Sequence, residues 1–156
     1  MTDIHISDFN RDVATILIRL YNQFPRKTTL YVEDISGYEE PDEFGLHSDR
    51  YLSCLGAMLW LSDEGFIRYE SVVKQEAIDQ AIITNPCFVT LNTACNNPIK
   101  GSIEAGAPAS ISQTKSLIVN QLRKGLKSGS SNTLESIVHE LLERMSCAVQ
   151  SAEGSR

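Results

Sequence analysis

Apolar positions along the chain recur first at helical and then at strand spacing. Phe9, Val13, Ile16, Leu17, Leu20 and Phe24 fall on one face of a helix, while Arg11, Asp12, Arg19 and Asn22 fall elsewhere. Asp8 is suited to cap that helix, so it is expected over residues 8–24. Pro25 ends it, because the proline ring clashes with the preceding turn. Thr29–Val32 is short and β-rich and predicts a strand. Between Ser36 and Gly45, two glycines and a proline leave room for one helical turn at most. Ser48 or Asp49 caps the next helix, which runs to about Glu64. Projected at about 100° per residue, Tyr51, Leu52, Leu55, Met58 and Leu59 share a core face. The opposite side carries Arg50, Ser53, Cys54, Ala57, Trp60 and Leu61 and is mostly apolar too. A helix apolar nearly all round is expected to be covered on both sides.

Gly65 follows that helix at the position where a left-handed residue closes it. Phe66–Val73 has strand composition, Lys74-Gln75-Glu76 predicts a reversal, and Ile78–Ile83 fits either a short helix or a return strand. Thr84 can cap a helix with Pro86 in its first turn, ending near Ala94. Residues 96–111 are poor in apolar side chains and rich in Gly and Pro, which predicts a linker or long surface loop. Two amphipathic helices follow. The first is expected over residues 112–127 with Leu117, Ile118, Leu122 and Leu126. The second is capped by Thr133 and carries Leu134, Ile137, Val138, Leu141, Leu142, Met145 and Val149. With the polar turn between them, residues 112–149 predict a helical hairpin, which either packs on its own domain or pairs with a second copy. Gln150–Arg156 is expected to fray.

The segment Leu59-Trp60-Leu61-Ser62-Asp63-Glu64-Gly65-Phe66-Ile67, followed by Ile82-Ile83-Thr84-Asn85-Pro86-Cys87-Phe88, resembles the back half of a winged helix-turn-helix domain. The whole order of helix, strand, turn, helix, strand, reversal, strand and helix over residues 8–95 is similar to that superfamily. The resemblance implies an α+β winged-helix domain, with residues 50–64 as its third helix and the Lys74 reversal as its wing. It also implies a binding scaffold, and many members bind DNA. Two departures stand against DNA here. The short second helix is expected to be replaced by an acidic turn. The third helix offers only Arg50 and Ser53, with His47 and Ser48 just before it, where base readout needs hydrogen-bonding side chains.

Composition then narrows the classes. The 156 residues carry a formal charge of −6 and 42% hydrophobic residues, ordinary for a globular protein. Neither a membrane span nor a signal peptide is apparent, so a cytoplasmic location is expected. Residues 1–100 hold 15 acids against 8 bases, and Thr29–Asp49 alone holds seven carboxylates with no Lys or Arg. Such a domain repels phosphate at long range. The cysteines at 54, 87, 95 and 147 lack paired spacing, so small thiols in a reducing compartment are expected and no metal site. The histidines at 5, 47 and 139 are far apart, and His139, among Ile137, Val138, Leu141 and Leu142, fits a core edge. No nucleophile elbow, phosphate loop or zinc-protease motif is present, and neither an enzyme, a cofactor nor a small-molecule ligand is expected.

Two sets of binding residues remain. Trp60, Ala57 and Leu61, with Glu39, Glu40 and Glu43 of the acidic turn, would contact a protein partner. Arg26, Lys27, Arg50, Ser53, Arg68 and Lys74 would contact DNA. Each set has a plain structural alternative: Trp60 as a core residue, the acidic run and the basic side chains as solvated surface. The leading expectation is a non-catalytic interaction or regulatory module acting through protein contacts, homodimeric through residues 112–149. The alternative is a winged-helix DNA-binding transcriptional regulator.

Overall fold

A computed structural model of the chain describes residues 3–101 and 105–153. The fold is α+β, and the chain divides into two compact units, Met1–Thr84 and Asn85–Arg156. The expected boundary after residue 95 therefore falls earlier, and the helix that follows Thr84 belongs with the C-terminal helices.

The first unit opens with helix α1 (Ile4–Gln23), strand β1 (Thr28–Tyr31), a five-residue helix α2 (Val32–Ser36) and helix α3 (Asp49–Asp63). Helix α1 starts four residues before the expected Asp8 cap, with Asp3 at the cap position. Its first turn carries exposed Ile4 and Ile6, whose apolar character does not follow the periodicity of the buried face. Val13, Ile16, Leu17 and Leu20 are buried as expected. Helix α2 corrects the expectation of an acidic turn without a second helix. Val32 is fully buried, and its N–H donates to the Glu76 carbonyl at 2.8 Å, so the chain turns directly from strand into helix.

Strands β2 (Ile67–Arg68), β3 (Ser71–Val73) and β4 (Ala77–Ile83) complete the unit. All pairing is antiparallel, with β4 central, β1 on one side and β2 and β3 on the other. The ambiguity at Ile78–Ile83 resolves to a strand, central in the sheet, with Ala77, Ile78, Ala81 and Ile83 buried. A bulge interrupts the ladder at Gln80, whose φ of 56° lies where the register slips between Thr28 and Leu30. The β3–β4 hairpin closes through Lys74 and Gln75, both left-handed, with the Glu76 N–H donating to the Val73 carbonyl at 2.8 Å. That geometry matches the right-handed twist of the flanking strands.

The second unit contains α4 (Asn85–Leu91), α5 (Ala109–Ser116), α6 (Ile118–Ser128) and α7 (Ser131–Glu153). The single helix expected from 112 to 127 is two helices, broken at Leu117, which is extended and bridges to Ala94. Residues 96–101 are not a free linker. The Asn96 N–H donates to the Glu140 carboxylate at 2.9 Å, and the Ile99 N–H donates to Oε1 of Gln121 at 2.7 Å. Leu134, Ile137, Val138, Leu141 and Met145 of α7 are buried, as are Ile118, Val119 and Leu122 of α6. The stripe expected to pair with a second copy is thus spent within the chain, where α6 and α7 pack at Gly125 with Leu134 close against it. The side chain of Val149, expected in the same stripe, lies outside the described residues. Helix α7 continues to Glu153, beyond the expected fraying point. His139 is exposed rather than core-edge and pairs with Glu143 at 3.2 Å, one turn on.

Gly65 has φ +83° with open space where a Cβ would stand. Its role is conformational alone, so Gly65→Ala should lower the unfolding free energy by about 1 kcal/mol. Urea denaturation checks this. An unchanged midpoint would mean that the turn after α3 relaxes without strain.

Candidate functional site

Helix α3 has one broad buried face, Tyr51, Cys54, Leu55, Ala57, Met58 and Leu61. Its opposite flank is open. Leu52, expected in the core, is 44% exposed, Leu59 is only partly buried, and Ser53 and Gly56 face solvent. The expectation of burial on both sides is therefore corrected. The buried face takes Tyr51, Leu55 and Met58 from the expected core side and Cys54, Ala57 and Leu61 from the opposite one, so it straddles the two projected arcs and leaves Leu52, Ser53, Gly56 and Trp60 outside. Ala57 and Leu61 were expected at a partner surface. Leu61 is fully buried, and Ala57, 4% exposed, forms only part of a cleft floor.

That cleft lies between α1 and α3 and has a volume of about 290 Å³. Ile6 and Phe9 line it from α1; Ser53, Gly56 and Trp60 line it from α3. Trp60 is 37% exposed. Its ring is held edge-on by Phe9, centroids 5.3 Å apart, and stacks on Phe66 at 6.1 Å. A large aromatic surface is thus fixed at the cleft wall with few rotamers left to lose. Gly56 has no packing reason to be glycine, since nothing lies within 4 Å of a Cβ built there. A mid-helix glycine costs about 1 kcal/mol relative to alanine, and nothing packed within this chain offsets that cost at Gly56.

Asp12 is the carboxylate in the cleft lining, and Arg50 reaches it from an adjoining depression. Its guanidinium donates two parallel bonds of 2.7 Å to the Asp12 carboxylate, which is buried on α1, and Nε lies 3.6 Å from Asp8. The bonds to Asp12 raise the Arg50 pKa above its ordinary value, against the opposing effect of burial. An adjoining depression is lined by Asp3, Asp8 and Asp49 together with Arg50, so the rim is acidic. The expected assignment of Arg50 to phosphate is corrected on this ground: both edges of its fork are committed to carboxylates.

The remaining basic residues lie elsewhere. Arg26 donates to Gln23 at 2.9 Å, and Lys27 pairs with Glu70 at 3.3 Å. Lys27 and Arg68 share a shallow depression with Glu70 between their elements, and Lys74 occupies the hairpin turn. Of the acidic turn, Glu40 and Glu43 are exposed. Glu39 is not simple solvated charge. Its carboxylate accepts from the Ser48 N–H at 2.7 Å and from the Ser48 hydroxyl at 2.6 Å, while Ser48 Oγ accepts from the Tyr51 N–H at 3.3 Å and so caps α3. Sequence spacing could not reveal this cap partner, because Glu39 lies outside the helix and reaches it across a loop. Asp42 shapes that loop, its Oδ1 accepting from the Phe44 and Leu46 N–H groups at 2.9 Å each.

Cys54, Cys87 and Cys95 are buried and Cys147 is exposed. Burial pushes the Cys54 and Cys87 thiols up to about 12, so neither is a thiolate nucleophile near neutral pH. No cluster of three or more His, Cys, Asp or Glu among the described residues is placed to hold a metal ion. No described helix is long and apolar enough to cross a membrane.

The Ser48 hydroxyl, then its N–H, holds the Glu39 pKa below the ordinary 4.5. Only the ionised carboxylate accepts both bonds. A depressed folded-state pKa means this contribution to the α3 cap is present above pH 4.5 and is lost as pH falls through the lowered value. Carboxyl-carbon NMR should place the Glu39 midpoint below 4.5, and Ser48→Ala should return it toward 4.5. A midpoint indifferent to Ser48→Ala would refute the assigned cause. No family model, curated protein or solved structure matches this chain.

Proposed function

We propose that residues 4–84 form a winged-helix-like module without catalytic function, whose α1–α3 cleft receives an apolar, basic-flanked helix of a protein partner. The winged-helix reading is supported by the element order α1, β1, α2, α3, then a hairpin, with β1 joining the far side of β4. The observation that carries the function is the pairing of a fixed, part-exposed Trp60 with an unfilled Gly56 in one cleft. Interface hot spots are enriched in tryptophan set in such pockets. Asp3, Asp8 and Asp49 on the rim favour a partner carrying Lys or Arg beside its apolar anchor.

DNA binding is the second reading, and Lys27 with Arg68 in one depression favours it. It is the weaker reading because Arg50 is bonded to Asp12 and because Leu52, Gly56 and Trp60 on the open flank of α3 carry no base-reading pair. A homodimer remains one form the protein partner could take, now through the α1–α3 cleft rather than residues 112–149.

Trp60 is the sole tryptophan, so its fluorescence reports directly on the cleft. Basic amphipathic helical peptides should shift its emission saturably to the blue, and peptides of the same composition with scrambled apolar order should not. Trp60→Ala should weaken binding by about thirtyfold, the equivalent of about 2 kcal/mol. Gly56→Leu should abolish binding while leaving the fold intact, and light scattering would show whether a second copy fills the cleft instead. Retention of duplex DNA at low salt that depends on Arg68 and leaves Trp60 emission unchanged would overturn the proposal in favour of the second reading.

A further inference from the structure

Helix α5 has eight residues and buries none of them. A helix that short is marginal in water without a packed face. It is tied down at its end instead. The Thr114 and Lys115 carbonyls accept from Nδ2 of Asn120 at 2.7 Å and from Nε2 of Gln121 at 2.8 Å. That leaves Ile111 45% exposed, with exposed Lys115 one turn on and exposed Pro108 one turn before, on the same face. Residues 105–134 hold Lys115, Arg123, Lys124 and Lys127 and no Asp or Glu. Residues 1–84 hold 15 acids against 7 bases. The chain therefore carries an acidic receptor unit and, elsewhere, a basic segment that presents one apolar anchor.

An apolar residue with a cation one turn away is the chemistry that the α1–α3 cleft selects, through Trp60 and the rim of Asp3, Asp8 and Asp49. We propose that the occupant of this cleft is α5 of a second copy of the chain, with Ile111 against Trp60 and Lys115 at the acidic rim. The inference rests on the reading of the cleft as a protein-binding site and names its partner. Cleft-to-cleft pairing of two copies is disfavoured, because it would set the two acidic rims together. Ile111 also precedes the stripe of residues 112–149 that is spent within the chain. Each copy holds one cleft and one α5, so the contact runs from donor to acceptor. It is small, so the association is weak and is read at high chain concentration.

The test mixes two full-length variants. The Ile111→Asp chain keeps Trp60 and its cleft but loses the anchor, and its fold stands because α5 buries nothing. The Trp60→Ala chain keeps α5 and, without the sole tryptophan, is silent in fluorescence. Titrating the silent chain into the Ile111→Asp chain should shift Trp60 emission saturably to the blue. Light scattering should show a mass above monomer in the mixture that neither variant reaches alone. Within the silent chain, Ile111→Ala should weaken the titration by about tenfold and Lys115→Glu by about threefold. Emission that ignores the silent chain but shifts with basic amphipathic peptides would overturn the second copy as occupant and leave the cleft reading standing. Emission that ignores both would overturn the two together. Equal shifts from silent chains with and without Ile111→Ala would overturn α5 as the anchor.

Discussion

The bidentate pair between Asp12 and Arg50 fixes the arrangement on which the first unit's surface depends. Asp12 is buried on α1, and Arg50 reaches it from the first turn of α3. A buried carboxylate is costly unless paired and hydrogen-bonded. Two parallel bonds satisfy it only if the helices keep one register and one spacing. That register leaves Gly56 opposite α1 and sets Phe9 against Trp60. It also removes Arg50 from any role in contacting phosphate. One interaction therefore forms the cleft and withdraws a cation needed for the competing function.

The recesses on the surface of this unit differ in chemistry. The α1–α3 cleft is apolar, with an acidic rim beside it, and suits an apolar anchor with basic flanks. A separate recess is lined by Tyr31, Tyr38, Tyr51, His47 and three glutamates. Both carry carboxylates in or beside their linings, consistent with the acid excess of residues 1–100. The segment between α2 and α3 serves structure as well as charge, since Glu39 holds the cap residue of α3 and Asp42 holds its own loop. Acidic side chains there cannot all be treated as interchangeable solvated groups.

Much of the fold was legible from periodicity and punctuation. Pro25, Ser48, Gly65 and the Lys74-Gln75 reversal mark element ends, and each acts locally, where sequence neighbours decide. Misses came where distant contacts decide. Helix α2 begins at Val32 because Val32 is buried and bonded to Glu76, far along the chain. Residues 96–101 look like a linker until Gln121 and Glu140 take their N–H groups. Trp60 could be singled out in the sequence, but whether it was exposed could not, because α3 is apolar on both arcs. Arg50 looked like a phosphate ligand because Asp12 lies 38 residues away in sequence. The cavity around Tyr51 gave no signal beyond the acidic run, since its lining comes from β1, α2, the following loop, α3 and the end of the hairpin turn.

The most direct test of this account is a double-mutant cycle on the α1–α3 pair, with Asp12→Ala, Arg50→Met and the double variant compared by urea denaturation. Committed partners should show a coupling energy of about 2 kcal/mol. Arg50→Met alone should destabilise more than the double variant, because it strands the Asp12 carboxylate in the core. A coupling near zero, with Arg50→Met leaving stability unchanged, would mean that Arg50 is free in solution and that the cleft is not held as described.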